Sequence, residues 1–162
     1  MSIEGSCYCG SVTYSINPKT KSISLYCHCE SCRRSHSCAL YQVSYIPKNN
    51  VTILSGEDNV KLAIKKPMNL AEGTNTVKRF FCEMCGSRLW NQLELPQQAA
   101  EKYGVEEGTF YGLFPGALNS IPNEFTPTMH VWCSESILDL SSLSDSLPKH
   151  SHFPSMPENT LL

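Results

Sequence analysis

Seven of the nine cysteines of this 162-residue chain fall into three tight groups, and only Cys38 and Cys133 stand apart. The groups are Cys7-x-Cys9-Gly10, Cys27-x-Cys29-x-x-Cys32 and Cys82-x-x-Cys85-Gly86. In a reducing compartment, clustered thiols indicate a metal site more often than a disulfide framework. A Cys-x-x-Cys-Gly turn aims two sulfur atoms at one ion, and a Cys-x-Cys on a strand places both thiols on one face. The spacing therefore predicts zinc sites with thiolate ligands.

The first and last groups each supply half of a four-ligand site. Joined on one zinc ion, they would form a closed tetrahedral centre that links the N-terminal hairpin to the middle of the chain. Such a centre is structural, since it has no open coordination position, and structural zinc contributes on the order of 10 kcal/mol to folding in small peptides. The predicted ligands of this site are Cys7, Cys9, Cys82 and Cys85.

The middle group supplies three close thiols, Cys27, Cys29 and Cys32. Three protein ligands with an exchangeable fourth are typical of a catalytic zinc. The next residues, Arg33 and Arg34, are cations that would stabilise the negative charge of the thiolates and attract an anionic, thiol-bearing ligand. The sulfur of that ligand would complete the coordination of the zinc as a thiolate and attack a carbonyl group.

Two other interpretations of the middle group stay open. In one, Cys38, His28 or His36 closes a second structural zinc site, and in the other the three thiols are redox-active. His28 lies between two predicted ligands on an extended segment, so its ring is expected to point away from the metal and to pack or be solvated. We expect His130 to be a satisfied core histidine, and Cys38 and Cys133 to be small buried apolar residues.

The elements that must position these residues are mostly strands. Short alternating or apolar runs, separated by turn-rich pieces, predict strands at residues 11–16, 22–26, 39–46, 51–54, 60–65, 78–81, 109–114 and 128–133. One helix is predicted to start at Pro96, run through residues 97–103 and end at Gly104, and a short helical turn can follow Cys32. The predicted class is mainly β with one or two short helices.

Length and composition limit the number of domains and the classes of function that this chain can have. A chain of this size predicts one domain with one substantial core, which we place at residues 3–140. Residues 141–162 are rich in Ser and Pro, and we expect this extension to lie along the surface or to be disordered. The formal net charge of −2 argues against a nucleic-acid binder that neutralises many phosphates. Without a long apolar run or a signal-peptide pattern, the expected location is the cytoplasm, with the nucleus as a further possibility.

The cysteine motifs and their neighbours, in order, resemble the glutathione-dependent formaldehyde-activating enzyme family, which includes the centromere protein V domain. The stretches that carry the resemblance are Cys7-x-Cys9-Gly10, Tyr26-Cys27-His28-Cys29-x-x-Cys32-Arg33-Arg34, Phe81-Cys82-x-x-Cys85-Gly86-Ser87, GALNSIPNEFTPTMHVW and DSLPKHSHFP. The resemblance implies a β-tent fold of short antiparallel sheets, two zinc ions per chain and a carbon–sulfur lyase. The family's characterised reaction forms or reverses S-hydroxymethylglutathione from glutathione and formaldehyde. Glutathione is then the co-substrate, small thiols and aldehydes are the partners, and neither nucleic acid nor membrane is expected.

The sequence departs from the family pattern in two places. Family members often have a glycine soon after the basic pair, where this chain has Ser35-His36-Ser37-Cys38, and the extra thiol of Cys38 can close the second site. The insert QLELPQQAAEKYGVEEG, residues 92–108, can reshape the edge of a pocket. Further candidates to meet the carboxylates of glutathione are Lys65, Lys66 and Arg88.

Two competing hypotheses belong to other functional classes. One is a non-catalytic module with two structural zinc ions that binds a protein partner. The other is a chromatin-associated module, which would ordinarily need a basic tail that the sequence does not have.

Overall fold

The computed structural model describes residues 3–17, 19–63 and 77–162. Within these ranges the chain forms two β-sheets and two α-helices of seven residues each. The predicted class is thereby confirmed, namely a mainly β fold of the β-tent zinc-binding type with one or two short helices. None of the described helices has the length and apolar character that crossing a membrane requires.

The described strands and helices follow one another along the chain as short segments. They are β1 (Ile3–Ser6), β2 (Thr13–Ile16), β3 (Ile23–Cys27), α1 (Glu30–His36), β4 (Tyr41–Pro47), β5 (Val51–Ser55), β6 (Val60–Leu62), β7 (Lys78–Cys82), β8 (Arg88–Leu95), α2 (Gln97–Tyr103), β9 (Gly108–Leu113) and β10 (His130–Val131).

The smaller sheet has the order β1-β2-β5, and the larger one has the order β10-β3-β4-β9-β8-β7-β6. Described neighbouring strands pair antiparallel, except that β10 runs parallel to β3. The two sheets share a core in which the fully buried ring of Tyr14 meets Trp90 edge to face, at a centroid distance of 5.9 Å. Cys27 and Cys82 are the last residues of β3 and β7, so each strand delivers a thiol at its end.

Each predicted strand has an observed counterpart, but the limits differ. The segment 128–133 forms only the two residues of β10, because Trp132 has a left-handed backbone with φ 57° and ends the strand. In the segment 60–65, the strand covers Val60–Leu62, and the residues after 63 lie outside the described ones.

Two strands and the start of one helix were missed from the sequence. β8 carries Asn91 and Gln92 at its centre, which hides the strand pattern, and Asn91 is buried because its amide donates to the Tyr41 hydroxyl at 2.8 Å. β1 is a four-residue strand with a glycine. Helix α1 begins at Glu30 and includes Cys32, whereas the sequence placed a helical turn after Cys32.

The extension 141–162 lies along the surface beside β10, which is one of the two arrangements expected for it. Its path is fixed by backbone hydrogen bonds: His130 N–H donates to Pro148 O at 2.8 Å, and His150 N–H donates to His130 O at 2.9 Å. Further along, Ser151 N–H donates to Thr160 O at 2.8 Å. The extension is therefore an added edge of the fold, and the domain boundary at residue 140 stays a prediction.

Candidate metal centres and the adjoining pocket

The structure brings together the four thiols that the sequence assigned to one site. The sulfur atoms of Cys7, Cys9, Cys82 and Cys85 all lie within 4.8 Å of one another. Cys7 Sγ is 3.5 Å from Cys9 Sγ, which lies 3.9 Å from Cys82 Sγ. Tetrahedral zinc with Zn–S bonds of 2.3 Å needs sulfur atoms about 3.8 Å apart. Both the donor set and its spacing therefore fit a zinc ion.

Two tight turns make this convergence possible. Gly10 and Gly86 both have φ of 74°, a left-handed conformation that glycine adopts without strain. Each closes its turn with a backbone hydrogen bond, from Gly10 N–H to Cys7 O at 3.0 Å and from Gly86 N–H to Cys82 O at 2.8 Å. The glycine after each cysteine pair thus turns both thiols of the pair towards the same point.

Polar neighbours lower the pKa of Cys7 and Cys85, whereas desolvation and the neighbouring thiols raise the pKa of Cys9. Val12 N–H donates to Cys7 Sγ at 3.3 Å, and Ser11 Oγ lies 3.1 Å from Cys9 Sγ. The hydrogen bond with the Ser87 hydroxyl lowers the pKa of Cys85 to about 6. Hydrogen bonds to a thiolate stabilise the charge that a metal ligand must carry.

The second centre consists of Cys27, Cys29 and Cys32, whose sulfur atoms also lie within 4.8 Å of one another. Cys27 ends β3, while Cys29 caps helix α1 because its sulfur accepts the Cys32 N–H at 3.3 Å. This local cap explains why α1 begins at Glu30. It also turns the thiol of Cys32 back towards the two sulfur atoms that precede the helix.

These three thiols cannot all ionise unaided. Hydrogen bonds from Cys27 and Cys32, with a smaller contribution from the charge of Arg79, lower the pKa of Cys29 to about 3. The pKa of Cys27 is raised because it donates to Cys29 and because it is buried. Ionisation of Cys29 thus opposes ionisation of its two neighbours, and a bound cation would stabilise all three sulfur atoms as thiolates. The donor set fits zinc with one coordination position left over.

Arg79 is the cation that contacts this second centre, and the sequence analysis missed it. The residue is 8% exposed, and its Nη2 lies 2.9 Å from Ser31 Oγ and 3.9 Å from Cys32 Sγ. Its Nε is buried and has no hydrogen-bond partner among the residues that the structure describes. The signal that could have found it is its place on β7, three residues before Cys82.

The two arginines after Cys32 bind groups outside the three-thiol centre. Arg33 donates from Nε to His28 O at 3.0 Å and from Nη2 to Glu135 O at 3.3 Å. Arg34 is 78% exposed and forms an ion pair with Glu30 at 2.6 Å. Their role as glutathione-binding residues therefore stays a prediction, and a direct contact between a cation and a thiol of this centre is made by Arg79.

Of the other cations proposed for glutathione, Arg88 lies among the described residues. Arg88 donates from Nε to the backbone carbonyl of Ser35 at 3.1 Å. Lys65 and Lys66 lie outside the described residues.

His28 and His130 are packed, as expected. Both are fully buried, and His28 Nε2 lies 2.9 Å from His130 Nδ1. His28 Nδ1 is 2.9 Å from Ser136 Oγ, while His130 Nε2 is 3.0 Å from a carboxylate oxygen of Asp145. With both ring nitrogens engaged, His28 offers no atom to a metal. The chain of contacts instead joins the extension to the strand end that carries Cys27.

Neither His36 nor Cys38 belongs to the group of converging donors among the described residues. The ring of His36 stacks on Tyr41 at 4.4 Å, and its Nε2 is buried without a described partner. Cys38 packs against the core, as expected, but it is half-buried instead of buried, and β4 begins only at Tyr41, three residues later. Cys133 is buried, as expected.

The packing of His36 leads to a testable pH dependence. Burial lowers the pKa of His36 to about 4, from an ordinary value of 6.5. Between these values the unfolded chain binds a proton at His36 that the folded chain does not, so stability falls as the pH decreases through that window. Replacement by phenylalanine keeps the ring packing and removes the proton. We expect His36→Phe to lose about 1 kcal/mol less stability than the wild type between pH 7 and pH 5.

Urea unfolding of the zinc-loaded proteins at both pH values measures this difference. Zinc content must stay equal in the two proteins, which separates the effect from loss of metal. An equal loss of stability on acidification in both proteins would contradict the assignment.

A pocket of about 440 Å³ opens beside the second centre. All three thiols and Arg79 line it, which gives this end of the pocket its polar character. The insert 92–108 forms one edge, as the sequence suggested, through Leu93, Glu94, Leu95, Pro96 and Ala99. Another part of the wall comes from the extension, through Phe153, Ser155 and Met156.

Comparison with known proteins identifies a family for this chain. A family model described as glutathione-dependent formaldehyde-activating enzyme matches residues 2–135. No curated protein is similar enough to count as a match. A crystal structure of a Rhodobacter sphaeroides protein, a structural genomics target, is similar at 21% identity with a TM-score of 0.49, covering 74% of this chain and 91% of that one.

Proposed function

Because this chain belongs to the glutathione-dependent formaldehyde-activating enzyme family, we propose that it is a carbon–sulfur lyase. It forms or cleaves the adduct of glutathione with an aldehyde, S-hydroxymethylglutathione or a related thiol adduct. One observation carries this proposal: three converging thiols, with no fourth protein donor among the described residues, line a pocket. A structural zinc centre has four protein ligands and needs no cavity beside it.

In this proposal the chain binds two zinc ions with different roles. The structural ion is held by the four thiols of the first centre, and the catalytic ion by Cys27, Cys29 and Cys32. When bound, the catalytic zinc supplies Lewis acidity, which keeps a coordinating substrate sulfur ionised near neutral pH. The amide of Cys32 and the guanidinium of Arg79 stabilise the protein thiolates.

The reaction needs no change of oxidation state. The thiolate of the substrate adds to the carbonyl carbon, a C–S bond forms, and the π-electron pair of the carbonyl group moves to its oxygen. That oxygen takes a proton from water, and the reverse sequence cleaves the adduct. The negative charge moves from the substrate sulfur to this oxygen, while Arg79 lies beside the protein sulfur atoms, so its guanidinium is placed to keep these atoms ionised.

The contacts of the arginines predict which one matters for activity. Arg79→Gln should lower kcat/KM by about tenfold to a hundredfold, because a charge-assisted contact of this kind contributes about 1.5–3 kcal/mol. Arg79→Lys should retain part of the activity, since it keeps the charge. Arg34→Gln is the matched control. It removes only an exposed ion pair, so kcat/KM should stay within about twofold of the wild-type value. A large loss in Arg34→Gln with little loss in Arg79→Gln would restore the assignment made from the sequence.

Counting zinc ligands tests the proposed function itself. X-ray absorption should show about three sulfur ligands at the second centre without ligand and about four after glutathione is added. Nuclear magnetic resonance should show that formaldehyde and glutathione exchange with their adduct faster when the protein is present than when it is absent. Four sulfur ligands before glutathione, falling to three in Cys38→Ser, would instead identify a closed structural site and a non-catalytic module.

The partners in this proposal are a small thiol and an aldehyde. The proposed location is the cytoplasm or the nucleus, since free thiols persist in reducing compartments.

A further inference from the structure

The pocket wall away from the thiols is largely apolar. Its side chains include Leu25, Leu95, Ala99, Trp132, Phe153 and Met156. Among the described residues that line the pocket, Arg79 is the one cation, and it already contacts Cys32. Apart from Arg79, the described wall offers no cation to the two carboxylates of glutathione, whereas Glu94 and Glu135 also line the pocket and offer carboxylates to its ammonium group. The largely apolar remainder of the wall favours an apolar group on the ligand.

The part of the wall from the extension is built into the fold. The ring of Phe153 meets Tyr103 of α2 edge to face at 5.7 Å, and Lys102 Nζ donates to the carbonyl oxygen of Pro154. Met156 N–H donates to Phe153 O at 2.9 Å, which fixes the turn that presents both side chains. These residues lie beyond residue 135, where the match to the family model ends.

The size of the pocket also exceeds what formaldehyde needs. Pockets of about 300–1,000 Å³ hold drug-sized ligands, and this one has a volume of about 440 Å³. In the formaldehyde adduct, the carbon attached to sulfur carries only hydrogen atoms and one hydroxyl group. The aldehyde-derived part of such a substrate would bring no apolar group to bury against this wall.

We propose that the site selects adducts in which the aldehyde-derived carbon carries an apolar alkyl or aryl group. Phe153 and Met156 are the specificity-determining residues. The proposal rests on the proposed function, in which the three-thiol centre holds the sulfur of the adduct. The chemistry is unchanged: a thiolate and an aldehyde R′CHO, with one proton from water, give the hemithioacetal RS–CH(OH)R′, and cleavage reverses each step.

A binding measurement tests selectivity without turnover. Calorimetry of the zinc-loaded protein with two stable thioethers, S-benzylglutathione and S-methylglutathione, should show at least tenfold tighter binding of the benzyl compound, as differential filling of an apolar pocket gives about 10–200-fold. Met156→Gln should reduce this affinity ratio several-fold. Phe153→Leu should also reduce the ratio, and it is less disruptive to folding because leucine is also apolar. The control is Leu161→Gln in the same extension, since Leu161 is 68% exposed and does not line the pocket.

A parallel kinetic measurement separates the two proposals. Exchange of glutathione with phenylacetaldehyde should have at least a tenfold higher kcat/KM than exchange with formaldehyde. Equal binding of the two thioethers, or a preference that both wall variants retain, would overturn the selectivity proposal whether or not formaldehyde is processed. A clear benzyl preference without any catalysed exchange would support the apolar pocket and overturn the proposed function.

Discussion

Replacement of Cys82 by serine is expected to unfold the protein and release its structural zinc. Cys82 is fully buried at the end of β7, and its sulfur meets that of Cys9, 73 positions away in sequence. A structural zinc site contributes on the order of 10 kcal/mol, which is comparable to the total stability of about 5–15 kcal/mol of a native domain. Zinc content per chain and thermal unfolding followed by circular dichroism measure the effect.

Cys133→Ser provides a matched control for this prediction. Cys133 is also a buried thiol, but it belongs to neither group of converging donors. We expect the control to stay folded with two zinc ions and to lose about 1–2 kcal/mol, as ordinary substitutions in the core do. A Cys82→Ser protein with the melting temperature and zinc content of the wild type would contradict the pairing of the first and last cysteine groups.

Cys29→Ser is expected to give a folded protein that carries about one zinc ion and has no measurable lyase activity. Loss of one of three thiolates removes most of the affinity of the second centre, while the four thiols of the first centre still hold the two sheets together. The fall in activity should exceed the roughly 10–100-fold that loss of a residue behind a metal ligand causes. Zinc content, melting temperature and adduct exchange can be measured on the same preparation.

Cys38→Ser is the control for the second centre. Its thiol is half-buried and lies outside the converging group, so we expect two zinc ions and full activity. Global unfolding of Cys29→Ser would mean that the second zinc is structural. Full activity of a Cys29→Ser protein with one zinc ion would remove the catalytic role from the three-thiol centre.

The two groups of converging thiols could be predicted from sequence because short, recognisable cysteine spacings form them. Cys82-x-x-Cys85-Gly86 needs only one turn to converge on an ion, and the turn conformation requires the glycine that the sequence supplies. Strands with clear alternation of buried and half-buried residues, such as β2, could also be predicted from the local sequence pattern. The central strand β8 escaped because Asn91 is buried through a hydrogen bond to Tyr41, 50 positions away, which no local pattern records.

Sequence by itself thus determined the cysteine motifs, the mainly β class and the resemblance to the family, which are carried by short stretches of the chain. Tertiary structure decided which cation meets the thiols and what lines the pocket. Arg79 reaches Cys32 across 47 positions, and Phe153 meets Tyr103 across the gap between α2 and the extension. Such contacts follow from strand register and chain path, and these are set by the packing of the whole core.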